Sequence, residues 1–86
     1  MLFRSGKEDK MLEQLREAAG VGGPVASLAN ELLVIRDQYE QGQLNQEEYQ
    51  FLLQQIAEVR AAQEMSNDEQ AIRFIVSAAS ALYSLT

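Results

Sequence analysis

The sequence predicts an all-α protein, a single domain that folds as a small bundle of about four helices. Good helix formers (Ala, Leu, Glu and Gln) dominate its 86 residues. β-branched residues are sparse and no stretch alternates apolar with polar residues, so strand signals are almost absent. The apolar fraction of 47% is that of a globular chain, and the length sets one domain as the upper limit.

The first helix is expected over residues 5–19, with Ser5 and Glu8 forming a capping box at its start. Its apolar stripe is narrow, which predicts an outer position in the bundle. Residues 20–24, GVGGP, combine three glycines with the only proline, and this composition disfavours both helix and strand. We interpret the segment as a hinge or tight turn, with Pro24 in the first turn of the following helix.

Two further helices are predicted over residues 24–41 and 46–65. Their apolar residues recur at alternating intervals of three and four, the spacing that keeps one seam toward a partner helix. The seam residues are Val25, Leu28, Leu32, Ile35 and Tyr39 in the first of these helices and Tyr49, Leu52, Ile56 and Val59 in the second.

The link between these helices carries matching stop and start signals. Gly42 stands where a helix ends in a left-handed residue, a conformation that glycine adopts without a Cβ clash. Asn45 and Glu48 form a predicted capping box, and Leu44 and Tyr49 stand at the positions of a hydrophobic staple. So short a link predicts an antiparallel helical hairpin within the unit formed by residues 24–65.

The hairpin sequence YEQGQLNQEEYQFLLQQI resembles the short C-terminal domain family, SHOCT, over about residues 30–57. The matching positions are Gly42, Leu44, Asn45, Glu48 and Tyr49, where Asn45 replaces the usual hydroxyl cap. That family is associated with appended interaction or oligomerisation modules. The resemblance therefore implies a binding role and no catalysis.

The last helix is predicted over residues 67–85, capped by Ser66 with Glu69 or by Asn67 with Gln70. Apolar residues surround most of it, and serines form its only polar line. We expect its exposed side to form an interface with other proteins, because three companion helices leave part of its circumference uncovered. The expected interface residues are Phe74, Ala78, Ala79, Ala81, Leu82 and Leu85.

Two alternatives for this helix remain open at this point. It can lie at the centre of the bundle, enclosed by its own chain, or it can enter a membrane. Membrane insertion is the weaker interpretation, since residues 71–86 fall short of the roughly twenty residues that a span requires. No basic flank for an interfacial anchor is present either.

Composition excludes several functional classes. A net charge of −6 disfavours nucleic acid and anionic lipid as partners. The chain has no His and no Cys, so we expect no cofactor, no metal site and no disulfide. The carboxylate pairs Glu47–Glu48 and Asp68–Glu69 lie in predicted first turns, where capping and the helix dipole account for them. No enzyme is predicted, and no signal peptide is visible, which favours the cytoplasm or an assembled particle.

The sequence therefore predicts a non-enzymatic structural or assembly subunit that packs through its last helix into a larger complex, such as a virion or another multi-subunit particle. It would be a homo-oligomer or one component of that assembly. The alternative is an adaptor or regulatory module that binds an amphipathic helix of a partner. The groove for that helix would be formed by Leu28, Leu32, Ile35, Leu52 and Ile56.

Overall fold

A computed structural model describes the backbone of residues 6–84 and the side chains of residues 10–84. Within that range the chain forms four helices and no strand, which confirms the all-α class. The helices α1, α2 and α4 cover Gly6–Ala19, Gly23–Glu40 and Glu69–Ser84. The third helix, α3, consists of Gln46–Gln55, a π-helical turn Ile56–Arg60 and a last turn Ala61–Glu64. The predicted Ser5–Glu8 capping box lies outside the described side chains.

The link between α1 and α2 is a tight turn built on glycine. Gly22 and Gly23 have φ angles of 92° and 81°, in the left-handed region that favours glycine over every other residue. Pro24 follows in the first turn of α2, as predicted. These residues therefore reverse the chain so that α1 packs along α2.

The predicted stop signal at the end of α2 is confirmed. Gly42 has a φ of 79°, and its N–H donates to the Tyr39 carbonyl at 3.1 Å. The Gln43 N–H donates to the Gln38 carbonyl at 2.9 Å. This pair of bonds is a Schellman motif, which satisfies carbonyls that the end of a helix otherwise leaves without donors.

The predicted start signal of α3 is also confirmed. The Asn45 side chain accepts a hydrogen bond from the Glu48 N–H at 2.8 Å, and the Glu48 carboxylate accepts one from the Asn45 N–H at 3.1 Å. Next to this capping box, Leu44 is half-buried and Tyr49 is fully buried. The stop and start signals thus join α2 and α3 into the expected hairpin.

A single hydrophobic core contains side chains from all four helices. α1 packs mainly on α2 and also contacts α4, and α4 contacts each of the other helices. The core residues are Leu12, Leu15, Leu28, Ala29, Leu32, Ile35, Tyr49, Leu53, Ile56, Ala61, Met65, Ala71, Ile75, Ala78, Ala79 and Leu82.

The π-helical turn sets the register of the second half of α3. After Ile56 the next core residue is Ala61, five positions later, followed by Met65. In an uninterrupted α-helix, Arg60 and Gln63 would continue the core-facing side instead, because they lie four and seven residues after Ile56. The extra residue in the turn moves these polar side chains outward and brings Ala61 and Met65 into the core.

The observed seam of α3 differs from the predicted one. Val59, expected in the seam, is 44% exposed, because the π-helical turn rotates it away from α2 and α4. Leu52 is only half-buried, whereas its neighbour Leu53 is fully buried. Arg60 reaches outward to the Glu31 carboxylate of α2 at 2.5 Å and to Glu64 at 2.7 Å.

The start of α4 differs from both predicted caps. Neither Ser66 nor Asn67 caps this helix; the Asp68 carboxylate accepts a hydrogen bond from the Ala71 N–H at 3.1 Å. The Asp68 N–H in turn donates to the carbonyl of Met65 at 2.9 Å. All three polar residues are able to cap a helix, and the burial of Met65 selects Asp68 by fixing where the connecting turn ends.

Deletion of Glu58, an exposed residue of the π-helical turn, is expected to convert α3 into a continuous α-helix. The interval from Ile56 to Ala61 then becomes four residues, so the core contacts on both sides are retained. We expect the free energy of unfolding to stay within about 1 kcal/mol of the wild-type value. Urea denaturation monitored by circular dichroism measures this change.

The matched control is deletion of Ser77, an exposed residue in the middle of the regular helix α4. That deletion rotates Ile75 by about 100° relative to Leu82. Removing large side chains from the core in this way costs about 2–5 kcal/mol for each side chain. Equal losses from the two deletions would show that the π-helical turn is not a removable insertion.

Candidate functional site

The residues expected to form an interface on α4 fall into three groups. Ala78, Ala79 and Leu82 are buried in the core of their own chain, with Leu82 fully enclosed. Phe74 and Ala81 are half-buried, and Phe74 packs against the core. Leu85 lies outside the described residues. Ala78, Ala79 and Leu82 are therefore core residues of this fold and are not available on its surface.

The reason for this correction is the way that α4 is covered. Three helices were expected to leave a broad apolar stripe of α4 exposed, yet all three other helices contact it. Small side chains such as Ala78 and Ala79 allow the neighbouring backbones to approach closely. The serines lie on the solvent side, and the Ser84 hydroxyl donates to the Ser80 carbonyl at 3.0 Å.

A groove between α3 and α4 is a concave feature of the described surface, with a volume of about 360 Å³. Leu53 and Ala79, which are almost completely buried, lie at its base. Its apolar wall includes Val76 and Tyr83, which are 37% and 38% exposed. The remaining lining residues are Gln54, Ala57, Glu58 and Ser80. The groove is thus apolar inside and polar along its edges.

Phe51 is an exposed apolar residue of α3 that does not itself line the groove. It is 62% exposed, a large value for a phenylalanine. It lies three residues before Gln54, one of the residues that line the groove, so the two side chains are neighbours on the surface of α3. The groove, with Val76 and Tyr83 exposed in its wall and Phe51 exposed on the neighbouring side of α3, is therefore the candidate functional site of the chain.

One end of this site is held by a buried tyrosine. The Tyr49 hydroxyl donates to the Leu82 carbonyl at 2.9 Å, within the last turn of α4. Carbonyls in that turn lack partners inside the helix. Arg36 Nη1 donates to the same hydroxyl oxygen at 3.3 Å. Through Tyr49, α3 holds the end of α4 that carries Tyr83.

Aromatic stacking surrounds this hydrogen bond. The Tyr39 and Tyr49 rings are stacked with centroids 4.1 Å apart, and the Arg36 guanidinium carbon lies 5.9 Å from each centroid. Glu40 lies 3.0 Å from Arg36 Nε. Burial raises the pKa of the Tyr49 hydroxyl, and the hydrogen bond from Arg36 opposes that rise only in part.

Sequence reasoning missed the groove and the tyrosine that holds it. Tyr49 was expected only as a seam and staple residue, and no local pattern indicates that its hydroxyl reaches a carbonyl 33 residues away. A signal for the π-helical turn was present, since a continuous helix would place Arg60 and Gln63 in the core. The predicted adaptor groove is internal, because Leu28, Leu32, Ile35 and Ile56 are core residues.

Other kinds of site find no support in the described part of the chain. There, no group of three or more Asp, Glu, His or Cys residues is placed to hold a metal ion. No helix in the same part is both long enough and apolar enough to cross a membrane.

No known protein family matches the chain, and comparison with curated proteins and with solved structures likewise gives no match. The resemblance of residues 30–57 to SHOCT thus stays a hypothesis.

Replacement of Tyr49 by Phe is expected to lower the free energy of unfolding by about 1–3 kcal/mol, because the buried Leu82 carbonyl loses its donor. Chemical denaturation measures the loss. The matched control is Tyr39→Phe, which keeps the stacked ring and changes stability by less than about 0.5 kcal/mol. Equal losses in the two variants would contradict the special role of the Tyr49 hydroxyl.

The raised pKa of Tyr49 makes stability fall at alkaline pH. An unfolded tyrosine ionises near pH 10, whereas the folded Tyr49 still holds its proton there, so ionisation favours the unfolded chain. The stabilisation that comes from protonated Tyr49 is complete below about pH 10. It is lost, by at most about 1.4 kcal/mol per pH unit, as the pH rises toward the folded pKa. Denaturation between about pH 8 and 11 should show a steeper decline for the wild type than for Tyr49→Phe. Parallel profiles of stability against pH for the two proteins would contradict this prediction.

Proposed function

We propose that this chain is a non-enzymatic protein-binding subunit that joins a larger complex through the groove between α3 and α4. The observation that carries the proposal is the open groove with exposed Val76 and Tyr83 in its wall, together with the exposed Phe51 on the neighbouring side of α3. A large aromatic side chain on a helix surface next to a concave apolar site is typical of protein interaction surfaces.

The charged side chains support a binding role over catalysis, because several of the carboxylates have structural partners. Glu48 caps α3 and Asp68 caps α4. Glu31 and Glu64 both bind Arg60. With no His and no Cys in the sequence, few groups remain to form a nucleophile with its base.

The proposed function shifts the interface from the one expected in the sequence. The inner face of α4 is used by the core, so we assign the partner to the side that carries Val76 and Tyr83, together with α3. The SHOCT resemblance of the hairpin points to the same class, since that family is associated with interaction modules. A fixed component of a particle and an exchangeable adaptor are both compatible with this groove, and the copy number in the isolated complex distinguishes them.

The test compares Val76→Glu, which places a charge in the groove, with Val34→Glu on α2 as a matched control. Val34 is likewise an exposed valine in a helix, and it does not line the groove. Each tagged variant is expressed in the native source, and co-purifying proteins are quantified against the wild type. Circular dichroism verifies that both variants remain folded.

We expect a defined partner to be retained by the wild type and by Val34→Glu, and to fall about tenfold or more with Val76→Glu. The added carboxylate is desolvated when a partner covers the groove, which opposes binding. Identical partner sets for all three proteins would overturn the proposal. The ratio of chain to partner in the purified complex then separates an assembly subunit, with a fixed ratio, from an adaptor.

A further inference from the structure

We infer that the occupant of the groove is a single amphipathic helix from another protein, with Lys or Arg on its polar face. This inference rests on the proposed function and specifies the chemistry of the partner. Three properties of the described residues carry it: the shape of the groove, the distribution of charge around it, and the burial of the inner face of α4.

The shape of the groove fits one helix. On α4 the lining runs from Val76 to Tyr83, a separation of seven positions that rises about 10 Å, or two helical turns. Ala57 of α3 and Ala79 of α4, both small, are among its lining residues and leave space for larger side chains from a partner. A volume of about 360 Å³ admits only a few such side chains. A helix with apolar residues at intervals of three and four presents a row of a few such side chains on one side.

The charge around the groove favours a cationic partner. Glu58 is the only charged residue among those that line the groove. The sequence of the two helices and their connection holds six carboxylates and only two arginines. Arg60 is paired with Glu31 and Glu64, and Arg73 lies 3.2 Å from Glu69. A partner with Lys or Arg beside its apolar stripe complements this surface.

The same charge argues against a second copy of this chain as the occupant. Each copy carries a net charge of −6, so two copies of the chain repel each other on approach. A second copy would need an apolar face to present to the groove, and the most apolar face of α4 is already buried in its own core. A basic helix from a different protein meets neither obstacle.

Synthetic peptides of about 18 residues, long enough for stable helix formation on binding, test the inference directly. The first carries a Leu/Ala stripe with Lys on the polar face, and the second has Glu in place of every Lys. The third has the composition of the first in an order without a stripe, which controls for nonspecific attraction. Fluorescence anisotropy of each labelled peptide, titrated with the full chain at physiological ionic strength, gives the dissociation constants.

We expect the Lys peptide with the stripe to bind about tenfold or more tightly than either of the other two. Glu58→Gln should weaken its binding about threefold to tenfold, because a complementary charge at the edge of the groove is lost. Val76→Gln should weaken it about tenfold, with Val34→Gln as a neutral matched control that leaves it unchanged. Neither Val76→Gln nor Val34→Gln alters the net charge of the chain.

Equal binding of the Lys and Glu peptides, or binding of the Lys peptide that Val76→Gln leaves intact, would overturn the inference. So would a dimer of the chain in sedimentation velocity that Val76→Glu dissociates, because a second copy would then be the occupant. In each of these cases a native partner that still depends on Val76 leaves the proposed function standing. A native partner set indifferent to Val76→Glu removes both.

Discussion

The hydrogen bond from the Tyr49 hydroxyl to the Leu82 carbonyl is the interaction on which the arrangement of the helices depends. It joins the first turns of α3, next to the hairpin link, to the last turn of α4. The bond gives a donor to a carbonyl that the helix end leaves without one, and it gives the buried Tyr49 hydroxyl an acceptor. Because Arg36 donates to the Tyr49 hydroxyl oxygen, a residue of α2 helps to hold the same junction.

The need to keep polar residues out of the core determines the shape of α3. Arg60 and Gln63 would face inward in a regular α-helix, and the π-helical turn Ile56–Arg60 prevents this by adding one residue. Arg60 then bridges two carboxylates at the surface. The turn also contributes Ala57 and Glu58 to the groove, so the same solution to a packing problem forms part of the proposed binding surface.

The predicted and observed surfaces of α4 differ in which of its apolar faces is exposed. The apolar character of α4 correctly indicated a helix with several covered sides, but Ala78, Ala79 and Leu82 are covered by their own chain. Whether a given apolar face meets its own chain or a partner depends on how closely the other helices approach. That approach is a property of the packed bundle, and no spacing within α4 encodes it.

Local patterns in the chain were enough to predict the four helices and the hairpin link, because the bonds that form them connect residues close in the chain. Asn45 and Glu48 cap each other three residues apart, and Gly42 ends its helix through local backbone bonds. Packing between the helices selects which of three neighbouring polar residues caps α4, exposes Val59 and sets which sides of α4 stay open. Those outcomes follow from contacts between helices far apart in the chain, whose combined burial outweighs any single local preference.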